Sequence, residues 1–248
     1  MEKIWTDRYT ISSYEVDIKA RVYLPVLCSY LQESAWHHAH NLKLGYDHLL
    51  QKNKIWVLSR LCIEVRSYPR WREKITVRTW PKGLNRLFAL RDFEILDAEE
   101  HVLGVATTSW LIIDVKSRRP QKPDPFFKDM PLSPDHHALR DDFEKIPQVS
   151  GDAARLPISV RYSDLDLYSH VNNTKYIEWI MDSFGAVRYR EQMVSSLKIQ
   201  YLSESFWGDT ISLLIGQEAE PKGTFLFNAV KTADSSEIFR ATVRWGDE

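Results

Sequence analysis

The chain has 248 residues, enough for one large domain or two small ones. Its 33 basic and 34 acidic residues cancel to a net charge of −1, which argues against nucleic acid as a general partner, because phosphate binding normally shows as a basic excess. Two cysteines without zinc-type pairing, Cys28 and Cys62, argue against a disulfide framework and for a reducing cytoplasm; early acids in "MEKIWTDRYT" argue against a signal peptide, and no run is apolar enough for a transmembrane helix.

Taken in chain order, the first segment, "SYEVDIKARVY", reads as extended. A helix follows, with Pro25 near its start, where a missing N–H costs little. Leu27, Leu31 and Ala35 recur at spacings of four along it. Next come segments with apolar residues at every second position or β-rich composition: "LCIEVR", "KITVRTW", "RLFALRDFEIL" and "VATTSWLIID". The stretch from Ser117 to Pro147 holds six prolines and mixed charge and reads as a linker, part of it packed on the surface because it is long for a structureless loop. The order then repeats. "LPISVRYSDLD" reads as extended, Tyr176, Ile177, Ile180, Met181 and Phe184 make one helical stripe, and "LKIQYL", "TISLLIGQ", "TFLFNAVKTA" and "IFRATVRW" read as strands.

The repetition extends to residue identities. Leu61, Ile63, Trp71 and Ile75 meet Leu197, Ile199, Trp207 and Ile211, all 136 positions apart (197 − 61), and Ala106, Thr107 and Trp110 meet Ala241, Thr242 and Trp245 at 135 (241 − 106). Matches of this length at nearly one offset point to two copies of one fold. One helix followed by antiparallel strands in each copy predicts an α+β layout, a sheet wrapped over one long helix. The expected boundaries are residues 1–122 for the first copy, 123–150 for the linker and 151–248 for the second copy.

The copies differ in polar chemistry. The first helix entrance, "ARVYLPVLCSYL", offers no carboxylate, His or amide, whereas the second reads "DLDLYSHVNNTKYI". Glu204 in the second copy stands where the first has Tyr68. Asn172 or Asn173 suits the N-cap, and both can be read as caps and nothing more. A helix entrance presents free N–H groups and a positive dipole end, which suit a carbonyl oxygen becoming an oxyanion. His170, flanked by Asp and opposite a Glu, is a candidate for proton chemistry, and Glu204 for a general base, although strict alternation puts Glu204 on the Lys198/Gln200 side of its strand. Asp166 could orient water or His170; Asp164 reads as local turn chemistry.

The stretch "DLDLYSHVNNTKYIEW" resembles the signature of acyl-ACP thioesterases of the plant plastid type and their bacterial relatives. "LQESAWHHAH", "IWVLSRLCIEVRSYPRW", "RLFALRDFEI" and "TSWLIIDVKSRRPQK" are similar to that family's N-terminal half, so the resemblance covers nearly the whole chain. It implies two tandem hotdog folds, a fatty acyl chain on acyl carrier protein as substrate, hydrolysis to free fatty acid, and no metal or organic cofactor. It also implies acyl-chain selection in the first half, with Leu27, Leu31 and Ala35 lining or capping the acyl pocket, although core packing explains these residues equally well. The family's catalytic Asp falls on Asp166, its His on His170 and its Glu on Glu204. Its Asn between the Asp and His falls on Tyr168, which offers a hydroxyl in place of an amide. The Cys of plant members falls on Ser205, so water attack driven by Glu204, with Asp166 and His170 positioning and polarising, is the expected mechanism; a Ser205 nucleophile with His170 as base is the alternative. The backbone N–H groups from Val171 to Asn173 are the expected oxyanion donors.

Other features have plainer readings. His37 and His40 stand three apart on a helix but have no third ligand nearby, so no metal is expected. The basic run "KSRRPQK" normally reads as solvated surface; with an acidic carrier as partner, Arg118, Arg119 and Lys122 become docking candidates, along with Arg66, Arg70 and Arg72. An acyl-CoA thioesterase, a non-catalytic acyl-binding module and a dehydratase on the same architecture are the alternatives. No membrane insertion and no nucleic acid are expected. Two copies in one chain make a pseudo-dimer, so either a monomer or a homodimer would be complete.

Overall fold

The computed structural model describes residues 2–128, 130–151, 153–216, 218 and 220–247. The chain divides into two compact units, Met1–Asp142 and Phe143–Glu248. In the first unit, β1 (Trp5–Thr10) precedes α1 (Leu24–Asn41) and α2 (Tyr46–Leu50). Strands β2 (Lys54–Val65), β3 (Lys74–Asn85), β4 (Phe88–Leu96) and β5 (Val102–Asp114) follow, then β6 (Pro120–Gln121) and α3 (Asp124–Phe127). In the second unit, β7 (Ala154–Ser159) precedes α4 (Asn173–Asp182) and α5 (Ala186–Glu191), then β8 (Gln192–Tyr201), β9 (Thr210–Ile215), β10 (Thr224–Lys231) and β11 (Glu237–Asp247).

Both units build the same antiparallel sheet. The strand order is β1-β3-β4-β5-β2 in the first, with β6 on β5, and β7-β9-β10-β11-β8 in the second. The pairing repeats residue by residue. Ile63 faces Ala106 across β2 and β5, and their counterparts Ile199 and Ala241 face each other across β8 and β11. The register shifts once in each of these ladders, between Leu58 and Arg60 and between Arg244 and Trp245.

The predicted stripes are buried. Leu27, Leu31 and Ala35 are enclosed on α1, which lies against β3 and β1. Tyr176, Ile177, Ile180 and Met181 are buried on α4, and Tyr176 packs its ring against Tyr201 of β8 and Phe239 of β11. The helices differ in length, however: α1 has 18 residues and α4 only 10. The Ser183 hydroxyl donates to the Ile180 carbonyl at 2.6 Å, and Gly185 opens α5 as its N-cap, so α4 stops before Phe184. Phe184 still packs inward, against Phe225, Phe227 and Trp245.

The segments read as extended behave differently. "SYEVDIKARVY" is not a strand; the strand is β1, and Ser13–Glu15 form a 3-10 turn. "LPISVRYSDLD" begins in β7 and ends in a second 3-10 turn, Tyr162–Asp164. In both, aspartate side chains capture nearby backbone N–H groups and compete with strand pairing.

The proline-rich stretch is anchored at several points. Phe127 packs with Leu44, Leu49 and Ala89, with Trp56 against the same cluster. Further on, Trp80 Nε1 donates to the His136 carbonyl at 3.0 Å while the two rings stack at 4.1 Å. Buried Asp92 accepts the Ala138 N–H at 2.9 Å and pairs with Lys82, which also donates to the Leu139 carbonyl. In the second unit Arg240 donates to the Ile146 carbonyl at 3.0 Å.

Candidate active site

The entrance to α4 is a tightly wired loop. Asp166 donates its N–H to the His170 carbonyl at 2.8 Å, and Ser169 donates to the Asp166 carbonyl at 3.0 Å. Asp166 Oδ1 accepts the N–H groups of Tyr168 at 2.8 Å and His170 at 3.2 Å. Ser169 adopts a left-handed φ of 62° to close the loop. Asp166 therefore acts on His170 through the backbone. Asp164 accepts the Arg161 N–H at 2.7 Å, which is the local turn chemistry expected of it.

Asn172 is the N-cap of α4: its Oδ1 accepts the Thr174 N–H and hydroxyl, both at 2.9 Å. Asn173 is the first helical residue, and its carbonyl accepts the Tyr201 hydroxyl at 3.2 Å. The expected oxyanion donors need correction. The Val171 N–H is spent on the Ser205 carbonyl at 2.9 Å, and the Asn172 N–H on the Asp164 carbonyl at 2.8 Å. Neither can receive a substrate oxygen without breaking the loop.

The central contact joins two distant stretches of chain. His170 Nδ1 lies 3.4 Å from Glu204 Oε1, with side chains 22% and 28% exposed. Strand alternation does not govern Glu204, because β8 ends at Tyr201. The chain then turns so that the Ser205 carbonyl holds Val171 and Phe206 bridges to His170. Partly exposed imidazole and carboxylate in contact can share or relay a proton and remain open to a substrate.

Ser205 is fully buried, its hydroxyl included. A serine nucleophile needs a base within hydrogen-bond reach, and among the described residues the Ser205 hydroxyl makes no such contact with His170. The buried Tyr176 phenol lies beside it: burial pushes this phenol up to about 12, an effect opposed by the Ser205 hydroxyl and amide and reinforced by the charges of Glu204 and Asp166. Sequence reasoning placed Tyr176 in the core stripe only. Tyr168 is 42% exposed, with its ring 6.5 Å from that of His170.

The first unit carries the same loop, contrary to the reading of its helix entrance as devoid of carboxylates. Asp17 accepts the N–H groups of Lys19 at 2.8 Å and Arg21 at 3.0 Å, and Ala20 has a φ of 60°. Asp17, Ala20 and Arg21 thus match Asp166, Ser169 and His170, 149 positions later (166 − 17). The signal was visible as "EVDIKARV" beside "DLDLYSHV", but the longer α1 shifts the offset away from that of the strands. In place of an imidazole this copy has a buried guanidinium, which Asp17 Oδ2 holds at 3.0 and 2.8 Å.

The other predicted residues lie elsewhere. Leu27, Leu31 and Ala35 are enclosed on α1. Arg118, Arg119 and Lys122 are exposed on and beside the turn between β5 and β6, and Arg66, Arg70 and Arg72 are exposed around the turn between β2 and β3. His37 has each ring nitrogen against a carboxylate, Asp7 at 2.9 Å and Glu33 at 3.2 Å, while the His40 ring stacks with Trp36. Neither cysteine is in a disulfide among the described residues, both are buried, and burial pushes the Cys28 thiol up to about 12. No helix among the described residues is long and apolar enough to cross a membrane.

Comparisons with known proteins agree with this arrangement. The family description "Acyl-ACP thioesterase N-terminal domain" matches residues 2–127, and "Acyl-ACP thioesterase C-terminal domain" matches residues 148–247. A chloroplastic acyl-[acyl-carrier-protein] hydrolase of Cuphea viscosissima is 27% identical, covering 98% of this chain and 62% of its own. A chloroplastic oleoyl-acyl carrier protein thioesterase of Coriandrum sativum is 26% identical, covering 87% and 63%. The chain thus spans about three-fifths of the length of these curated relatives. Among solved structures, an acyl-ACP thioesterase from Bacteroides thetaiotaomicron is 28% identical with a TM-score of 0.88, covering 98% of both chains. The 12:0-ACP thioesterase from Umbellularia californica, 22% identical with a TM-score of 0.88, shares the fold. The expected α+β tandem hotdog architecture is borne out, and with both family domains matched in order across nearly all of its length, the chain belongs to the acyl-ACP thioesterase family.

Proposed function

We propose that the protein hydrolyses the thioester of a fatty acyl chain carried on acyl carrier protein, releasing free fatty acid and the carrier's pantetheine thiol and so ending chain elongation. The observation that carries this reading is the His170–Glu204 pair at the entrance of α4. Glu204 takes a proton from water, and the resulting hydroxide attacks the thioester carbonyl. With Nδ1 turned to Glu204, the contact that polarises the carbonyl falls to His170 Nε2. Collapse of the tetrahedral intermediate breaks the carbon–sulfur bond, and the leaving thiolate takes up the proton. Asp166 positions His170 by ordering its backbone, and Asn172 and Asn173 set the first turn of α4 beside it. Residues 151–248 thus carry the chemistry, and 123–150 link them to the first half.

In residues 1–122, Leu27, Leu31 and Ala35 shape the environment of the acyl chain. Arg118, Arg119 and Lys122 offer an exposed basic surface to an acidic carrier. The protein acts in the cytoplasm without a cofactor, as a monomeric pseudo-dimer or a homodimer. The test is thiol release from a panel of acyl-ACP substrates, with matched acyl-CoA alongside and Glu204→Ala as control. Rapid release from acyl-ACP that the substitution abolishes is the expected result. Full turnover by Glu204→Ala would sink the mechanism, and preference for acyl-CoA would reassign the carrier.

A further inference from the structure

The His170 imidazole has two half-exposed aromatic rings beside it. Phe206 meets it edge-on, with centroids 5.0 Å apart and planes at 87°, and Tyr168 lies more nearly parallel at 6.5 Å and 25°. Each is 42% exposed, and beside them Trp207 is 72% exposed and Leu167 fully so. Loop tips normally carry polar residues, and neighbouring exposed apolar side chains mark a contact surface.

The rings are placed by ordered backbone. The Tyr168 N–H is held by Asp166, and the Phe206 N–H donates to Asp209 Oδ2 at 2.9 Å. Lys231, which pairs with Asp209 at 2.8 Å, has its ammonium 5.1 Å from the Phe206 ring centre.

The duplicated loop supplies an internal comparison. In the first unit Arg21 bridges to Arg70 as His170 bridges to Phe206, and Lys19 holds the backbone position of Tyr168. Where the imidazole is replaced by a guanidinium, both rings are replaced by cationic side chains on the same backbone. The aromatic pair therefore accompanies the imidazole and is not a requirement of the loop fold.

We propose that Tyr168 and Phe206 are substrate-binding residues that wall the approach to His170 and take the thioester end of a pantetheine-linked acyl chain, and that Tyr168 acts through its ring and not its hydroxyl. The proposal rests on the reading of the site as a thioester hydrolase. Apolar walls exclude bulk water from the carbonyl while leaving the imidazole reachable along the thin pantetheine arm. Because that arm is common to acyl carrier protein and coenzyme A, the walls should act alike on both carriers.

The experiment measures the Kd of a long-chain alkyl thioether of pantetheine, which cannot be hydrolysed, for the parent protein, Tyr168→Ala, Tyr168→Phe and Phe206→Ala. Steady-state kinetics on matched acyl-ACP and acyl-CoA run alongside, with circular dichroism to confirm folding. Tyr168→Ala and Phe206→Ala should each weaken thioether binding by about 3- to 10-fold, the range expected for losing one aromatic contact, and raise KM for both carriers in parallel. Tyr168→Phe should restore the binding that Tyr168→Ala loses. Unchanged Kd in the alanine variants, or a Tyr168→Phe defect as large as that of Tyr168→Ala, overturns the proposal; so does a KM effect confined to the carrier-protein substrate. The thioether measurement needs no turnover, so a protein that binds through its rings but hydrolyses nothing would overturn the hydrolase reading and leave the walls standing.

Discussion

The two copies of the aspartate loop should respond in opposite ways to the same substitution. Asp17 has both carboxylate oxygens engaged, Oδ1 by two backbone N–H groups and Oδ2 by the Arg21 guanidinium, itself only 3% exposed. Asp17→Ala takes the Asp17 carboxylate away from that buried cation, a loss of about 3–5 kcal/mol. At roughly 2–4 °C per kcal/mol for a chain of this size, Tm should fall by about 6–20 °C. Asp166 holds the equivalent N–H groups at 2.8 and 3.2 Å in a more open loop, where water can replace it. Asp166→Ala should cost about 1–2 kcal/mol in stability. Its effect on turnover should be larger, because the freed backbone lets His170 move relative to Glu204, and a displacement of about 1 Å costs on the order of 100-fold in rate. Asp166→Asn keeps an acceptor oxygen and should recover most of the stability. Thermal unfolding and kcat on one acyl-ACP substrate, measured below the Tm of every variant, separate the two effects. The reasoning is refuted if Asp17→Ala destabilises no more than Asp166→Ala, or if both slow turnover by a similar factor.

Three further outcomes follow from other contacts. His38 is fully buried between the Glu2 carbonyl and Arg91, and burial first, then the Arg91 charge, lowers it to about 4. Its folded pKa lies below the unfolded value, so its contribution is complete above about pH 6.5 and is lost as pH falls toward 4; about 2 kcal/mol should be gone at pH 5. Urea unfolding at pH 7.5 and 5.0 should show that difference in the parent and a correspondingly smaller one in His38→Asn. Asp92→Ala removes the partner of Lys82 and the acceptor for Ala138, and should cost about 3–5 kcal/mol. It should also make residues 133–139 the first site of limited proteolysis, while cleavage elsewhere first would show that other contacts hold this segment. Reversing charge at the β5–β6 turn, Arg118→Glu with Arg119→Glu, should raise KM for acyl-ACP and spare acyl-CoA; equal losses on both would reject carrier docking there.

Much of this protein could be read without coordinates because the relevant physics is local or repeated. Alternating apolar residues specify strands, the spacing of Leu27, Leu31 and Ala35 specifies the buried face of α1, and an asparagine before "NTKYI" specifies a cap. The repeated identities predicted that both copies would build the same sheet, and they do, down to the shifts in register. The repeat also directed attention to the second half, where His170 and Glu204 have no polar counterparts of the same kind.

The tertiary structure decided what depends on contacts between separated residues. Glu204 stands 34 positions beyond His170 (204 − 170), and strand alternation pointed it toward Lys198 and Gln200. The turn after Tyr201 cancels that alternation and brings its carboxylate to the imidazole. The N–H groups before α4 looked open to a substrate oxygen, but the carbonyls of Ser205 and Asp164 occupy two of them. Ser205 looked like a possible nucleophile until its hydroxyl proved to be buried beside Tyr176. The sequence by itself determined which elements form and that they form twice, because periodicity and capping act within a few residues. Only the folded chain decided which polar groups meet and which hydrogen bonds remain for a substrate, because those depend on where each turn delivers its side chains.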